Sequence, residues 1–215
     1  MTPTAVALGV ILAVAGGAWG LAADRIAVRW PEHDPGTGGR RPGWRTAVTV
    51  AFGAGAMGLL GARSPEPAAF ALLGAWFLVL VLLFATDLDQ RLLPNEMTLP
   101  AIVVGALLLV AGVNPIVGSD ALPAVLTALI VPAVLYAFSI PFGSGAFGLG
   151  DVKFLIAAGL IGGFRPTLTG VFAGIILAGV VLLVLVVLRR ITLRTMVPYG
   201  PFLIVGVAWG LLGAV

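Results

Sequence analysis

The chain of 215 residues has no cysteine and a single histidine, and only 10% of its residues are charged. The missing cysteines exclude disulfides, thiolate zinc sites and cysteine nucleophiles together. His33 sits in a Gly- and Pro-rich polar stretch and reads as a solvated side chain before it reads as a base or a ligand. With that single histidine, a zinc hydrolase site would have to be built almost wholly from carboxylates, which zinc seldom uses. The scarcity of charge excludes more: a chain that is 60% hydrophobic cannot give a globule an ordinary water-facing surface. An all-α, polytopic membrane helix bundle remains. The net charge of +3 does not argue for nucleic acid, because the basic residues fall between apolar runs, where membrane topology accounts for them.

Apolar runs occupy about residues 4–23, 46–62, 68–86, 97–113, 121–140, 152–163, 168–188 and 202–215. They predict about eight transmembrane helices in one membrane-embedded domain covering 1–215, with a polar cytoplasmic loop at about 24–45. The first run has no basic residue ahead of it and reads as a retained helix, not a cleaved signal. Arg63-Ser64-Pro65-Glu66-Pro67, Asn114-Pro115, and Pro141 followed by Gly143-Ser144-Gly145 carry the punctuation expected of loops. Ser144 invites a nucleophile reading, but no partner base is in sight, so Phe142-Gly143-Ser144-Gly145 reads as a turn. The sixth run, about a dozen residues, is short against the roughly 20 needed to span a bilayer. It is either shielded by other helices or begins below the surface.

If the loops after the first, third, fifth and seventh helices are cytoplasmic, ten of the twelve basic residues, all but Arg63 and Arg165, lie on that side. Both termini are then extracytoplasmic, and Asp87, Asp89 and Asp151 fall at the cytoplasmic boundary. Asp151 and Lys153 are the only charged residues between Asp120 and Arg165. An ionised carboxylate against lipid costs roughly 2.5–3.5 kcal/mol, so such an acid defaults to a functional role. Gly148 and Gly150 on either side of Leu149 allow the backbone to leave helical geometry, which at membrane depth is tolerated only inside protein or along a wet cavity. The alternative is that Asp151 simply caps a helix starting at Val152. Two carboxylates meeting across helices point to aspartyl-protease chemistry: repulsion separates their titrations, so one stays protonated to polarise a carbonyl while the other activates water. A proton- or cation-coupled transporter using Asp87 and Asp151 is the rival, since broken helices and membrane acids also mark transporters. A non-enzymatic assembly factor is a third class.

Three segments resemble the type IV prepilin leader peptidases, membrane aspartyl proteases with a GxGD motif. Asp87-Leu88-Asp89-Gln90-Arg91-Leu92-Leu93-Pro94-Asn95, with Thr98 and Pro100, is similar to the family's first aspartate segment, in which an Asp stands seven residues before a Pro. Gly148-Leu149-Gly150-Asp151-Val152-Lys153-Phe154, with Gly159 and Gly162 downstream, is similar to the second. Pro198-Tyr199-Gly200-Pro201-Phe202 resembles the stretch before the last helix, and the first helix ending in Asp24-Arg25 also fits. The resemblance implies catalytic Asp87 and Asp151 within a core at about 68–165. Gly148, Gly150, Lys153, Asp89 and Pro94 would bind substrate or support the site. It implies a multi-pass protein of a bacterial-type inner membrane that cuts the basic leader from prepilins or pseudopilins at the cytoplasmic face, with no metal, nucleic acid or cofactor needed for proteolysis. Membrane lipid is the surrounding partner. Long members of the family carry four zinc-binding cysteines in a large first loop and methylate the new N-terminus with S-adenosylmethionine. Here that loop has about 22 residues and no cysteine, so zinc is excluded there, and S-adenosylmethionine has a place only if methyl transfer is retained.

Several polar residues keep two readings. Asp89 and Arg91 form a local pair that positions Asp87, or they are a solvated flank. Lys153 tunes the neighbouring acid or holds substrate, or it snorkels to the interface. Arg189, Arg190 and Arg194 read as topology anchors, while Glu32, Asp34 and Glu96 are candidate contacts for a basic leader. The charge distribution makes a direct prediction: a reporter fused at the C-terminus should be extracytoplasmic and one inserted near Gly38 cytoplasmic. Both reporters on one side would break the eight-span arrangement.

Overall fold

A computed structural model of the chain describes residues 2–31, 42–63, 65–142, 147–190 and 199–215. Among these residues the secondary structure is helical throughout. The helices are α1 (Pro3–Ala27), α2 (Trp44–Arg63), α3 (Pro67–Gln90), α4 (Asn95–Val110), α5 (Ala121–Ser139), α6 (Leu149–Gly162), α7 (Phe164–Val187) and α8 (Gly200–Leu212), with a 3-10 turn at Ile140–Phe142. Hydrocarbon offers a backbone N–H or C=O no partner, so a spanning segment has to satisfy its own. Five helices, α1, α2, α3, α5 and α7, are long and apolar enough to cross a membrane. The chain is a multi-pass, all-α membrane protein. At 14 residues α6 rises about 21 Å, short of a hydrocarbon core of about 30 Å. From Phe154 onward it is largely enclosed, with Phe154, Leu155, Ala157 and Ala158 each 0% exposed, while Leu149 at its start is 65% exposed.

The helix ends depart from the apolar runs in an instructive way. α1 continues past residue 23 through Ala27, so Asp24 and Arg25 are helical and the polar loop begins later than expected. At the loop's far end, Trp44 and Arg45 already belong to α2. α3 runs on through Asp87, Asp89 and Gln90 and is stopped by Arg91, whose backbone is left-handed (φ 56°, ψ 37°). α6 begins at Leu149, three residues ahead of the expected Val152. Hydropathy marks where lipid-compatible side chains end, but a helix persists while its polar side chains find partners. Glu32, His33, Asp34, Arg40, Arg41, Ser64, the Gly143-Ser144-Gly145 turn, Arg194 and Pro198 lie outside the described residues.

Two compact units make up the structure, Met1–Met97 with Leu212–Val215, and Thr98–Leu211. In the first, α1 and α2 run antiparallel with their backbones in contact. A methyl group on Gly16 would overlap the carbonyl oxygen of Gly53, one on Gly53 would overlap that of Gly16, and one on Gly20 would lie 2.6 Å from the Thr49 carbonyl. Lipid supplies no hydrophobic drive between helices, so such small-residue faces, here Gly16-x-x-x-Gly20, let van der Waals packing do the associating. α3 joins through Trp19, whose Nε1 donates to the Leu78 carbonyl at 2.9 Å. Val81, Leu82 and Ala85 of α3 pack with Ala23 and Ala27 of α1.

In the second unit α6 is fixed by its neighbours. Gly159 brings its backbone against Ala128 of α5, where an added methyl would meet the Ala128 Cα at 2.7 Å. Asn114, buried, donates from Nδ2 to the carbonyls of Leu160 and Ile161, both at 3.1 Å, while its Oδ1 accepts from the Ile116 and Val117 amides. Thr167 Oγ1 donates to the Ala158 carbonyl at 2.9 Å. The last four carbonyls of a helix have no intrahelical partner; Asn114 supplies one to Leu160 and Ile161, while Thr167 ties the start of α7 to the preceding turn of α6.

The α1–α2 contact makes a paired prediction. Gly53→Ala should lower stability by about 1–3 kcal/mol through overpacking. Gly55→Ala, where an added methyl meets nothing within 4 Å, should be neutral or stabilising by up to about 1 kcal/mol. Thermal unfolding in detergent followed by tryptophan fluorescence measures both, and equal behaviour of the two variants would contradict the packing.

Candidate functional site

The first acidic segment occupies the last turn of α3. Asp87 is 6% exposed, and its carbonyl accepts from the Arg91 amide at 3.0 Å where the helix closes. Leu93 and Pro94 follow, both buried, and the Pro94 carbonyl accepts from the Met97 amide at 3.1 Å as α4 begins. Pro94 thus stands immediately ahead of α4, four residues after α3 has ended at Gln90. Asp89 meets α2: its Oδ1 accepts from Arg45 Nη1 at 2.6 Å. This bond reaches a residue 44 positions away in sequence, whereas the neighbouring Arg91 is exposed. Gln90 Nε2 donates to the Ala27 carbonyl at 2.6 Å and the Trp30 carbonyl at 3.3 Å, tying α3 to the end of α1.

Sequence reasoning gave Asp24 no role in the site. It read as the boundary between the first helix and the polar loop, yet it is 4% exposed and its Oδ2 accepts from Thr46 Oγ1 of α2 at 2.8 Å, with Arg25 Nη2 at 3.8 Å. A signal was present: Gly16, Gly20 and Asp24 recur every fourth residue, which places the acid on the face that α1 turns to α2. Thr46, Thr49 and Gly53, spaced three and four residues apart, share one face of α2, and Thr46 and Thr49 are buried. Arg45 was counted only as a loop charge.

The second acidic segment opens α6. Gly148 is the N-cap residue, with φ −81° and ψ 156°, and Asp151 stands three residues into the helix, where its Oδ2 accepts from the Gly148 amide at 3.0 Å. The sequence expectation is corrected in two respects. Gly150 is helical, so the backbone leaves helical geometry only at Gly148, and in an extended conformation open to any residue. Asp151 does cap, as the alternative held, but from inside the first turn and reaching back, where the helix dipole also favours a carboxylate. Lys153 is partly exposed one turn from the cap. Tyr199, just ahead of α8, is half-buried, and burial pushes its phenol above the ordinary value, so it stays neutral and available as a donor. Asp87 belongs to the first unit and Asp151 to the second. No group of three or more His, Cys, Asp or Glu side chains among the described residues is placed to hold a metal ion.

A model of the type IV leader peptidase family matches residues 72–184, just over half of the chain. The chain is 32% identical over 152 residues to a prepilin leader peptidase/N-methyltransferase of Aeromonas hydrophila, an alignment covering 65% of this chain and 49% of that protein. A protein of the same name from Aeromonas salmonicida strain A449 is 30% identical over 144 residues, with 65% and 49% covered. One from Burkholderia pseudomallei strain 1026b is 29% identical over 156 residues, with 73% and 49% covered. The chain therefore spans about half the length of these relatives. No solved structure matches it. Because the family match covers more than half of the chain and contains both acidic segments, the chain belongs to the type IV leader peptidase family.

Proposed function

We propose that the chain is a membrane aspartyl endopeptidase that removes the basic leader of type IV prepilin-like or pseudopilin substrates. The observation that carries the proposal is the family match over 72–184, which contains Asp87 at the end of α3 and Asp151 at the start of α6. Both acids stand at helix ends, the level at which a substrate's apolar helix stays in lipid while its leader stays in water. Asp87 and Asp151 form the catalytic dyad in this proposal. With one proton shared between them, the ionised carboxylate draws a proton from the attacking water as the protonated one donates to the scissile carbonyl. Gly148, Gly150 and Lys153 line the approach of the substrate, and Asp89 and Pro94 support Asp87. The enzyme acts in the inner membrane with its site at the cytoplasmic face and both termini outside. The proposal is confined to proteolysis; S-adenosylmethionine would enter only with methyl transfer, the second activity in the relatives' name. Family membership leaves the transporter reading without an observation in its favour.

Co-expression with a prepilin-like substrate, followed by loss of its leader, tests the proposal. Asp87→Asn and Asp151→Asn should each abolish cleavage while membrane abundance is retained, because an amide keeps the shape and one acceptor oxygen but can neither take up nor give up the proton. Asp89→Asn should be milder. If the Asp87 and Asp151 variants cleave like the parent, the dyad is wrong.

Gly150→Ala addresses the glycines. Gly150 is already helical, so alanine should not lower abundance, since it is the better helix former by about 1 kcal/mol. If the glycine admits the substrate backbone close to Asp151, a methyl there displaces the reacting groups, and a misplacement of about 1 Å lowers rate on the order of 100-fold. Normal abundance with poor cleavage is the expected outcome; wild-type cleavage would remove Gly150 from the site.

A further inference from the structure

At one end of the first unit, three helix ends are joined in a closed ring of side-chain bonds. Thr46 on α2 donates to Asp24 on α1 at 2.8 Å. Arg45, the residue before it, donates to Asp89 on α3 at 2.6 Å. Gln90, the residue after Asp89, donates back to the Ala27 and Trp30 carbonyls at the end of α1. Two adjacent residues of α2 thus hold both other helices, and two adjacent residues of α3 do the same. The Gly43 amide donates to Thr46 Oγ1 at 3.2 Å, so that hydroxyl both receives the turn before α2 and gives its own proton to Asp24.

We propose that this ring is a positioning device for Asp87, with Arg45, Asp89, Thr46 and Asp24 as positioning residues that fix where the last turn of α3 presents its acid. The inference rests on the peptidase reading for its purpose. Asp87 lies two and three residues before the two ring members of α3, inside the final turn, and a helix end otherwise frays because its last carbonyls lack partners. Arg45 resists that fraying by drawing Asp89 toward α2, while Gln90 draws the same turn toward α1. The pulls come from different helices, so they restrain the turn's rotation as well as its depth. Asp24 belongs to the device as the anchor for α2: a carboxylate that is 4% exposed and hydrogen-bonded to a hydroxyl keeps the first turn of α2, and with it Arg45, at a set distance from α1. The ring orients Asp87 without touching substrate, so losing it lowers turnover more than binding.

Two readouts separate the failure of this inference from the failure of the peptidase reading. The chain has no cysteine, so Leu88→Cys, partly exposed and adjacent to the acid, is a unique thiol whose alkylation by a water-soluble maleimide reports the setting of that turn in the full chain. Arg45→Asp and Asp89→Arg should each raise the labelling rate several-fold, and the charge-reversed pair together should return it close to the parental rate. Thr46→Val should act like the single reversals, and Thr46→Ser, which keeps the hydroxyl, like the parent. Arg29→Gln, which removes an exposed charge near the same end, should leave labelling unchanged. In cleavage of a peptide built from a basic leader, a glycine and an apolar helix, Asp89→Asn should lower kcat about 10- to 100-fold with KM little changed, and the charge-reversed pair should recover most of the loss. Labelling indifferent to the single reversals, no recovery in the pair, or an effect on KM alone would overturn the inference. Labelling as expected in a chain that cleaves nothing would support the positioning of the turn and overturn the peptidase reading instead.

Discussion

The contact of Gly16 with Gly53 sets the distance between α1 and α2, and much of the first unit depends on that distance. The two backbones touch where neither residue has a side chain. Two turns further along, Thr46 reaches Asp24 at 2.8 Å. A separation wider by even 1 Å would take that pair beyond the range of a good hydrogen bond. Asp24 would then be a buried carboxylate without its hydroxyl, a loss on the order of 1–3 kcal/mol. The small-residue face and the polar end are therefore one design: close packing in lipid brings short polar side chains within reach of each other.

The second unit applies the same constraint to a different problem. α6 is too short to carry both of its ends into water, and its buried C-terminal end needs backbone partners supplied by protein. Asn114 satisfies the Leu160 and Ile161 carbonyls at its C-terminal end, and Asp151 accepts the amide of Gly148 at its start. A carboxylate at that position is favoured twice, by the exposed amides and by the helix dipole. The capping and chemical roles of Asp151 are thus compatible. Capping uses Oδ2 and holds the side chain at the mouth of the helix, where a reacting acid in the proposed mechanism has to stand.

Both acidic segments share a logic of termination. α3 ends where Arg91 turns left-handed and its amide closes on the Asp87 carbonyl, and α6 begins where Gly148 leaves helical geometry. In each, the acid lies within the terminal turn and not beyond it. A side chain there is held by helical backbone yet lies close to groups that lack intrahelical partners. Placement at a helix end gives a rigid attachment and a polar setting together, which the interior of a membrane helix does not.

The composition by itself determined the class: with 10% charge and long apolar runs, hydration forbids a soluble globule, and backbone hydrogen bonding in hydrocarbon then requires helices. The spacing of Asp87 to Pro94 and the Gly148-Leu149-Gly150-Asp151 string also marked the two acidic segments, because helix stops and starts are local events written in local residues. The sequence ended α1 and α3 too early, since hydropathy weighs Asp24, Asp87 and Asp89 as if they faced water, whereas the fold supplies Thr46 to Asp24 and Arg45 to Asp89. Those partners stand 22 and 44 residues away in the chain, and no local pattern names them. Only tertiary structure decided which charge meets which, because a hydrogen bond depends on distance in space, and in this unit that distance is set by two glycines packed backbone to backbone.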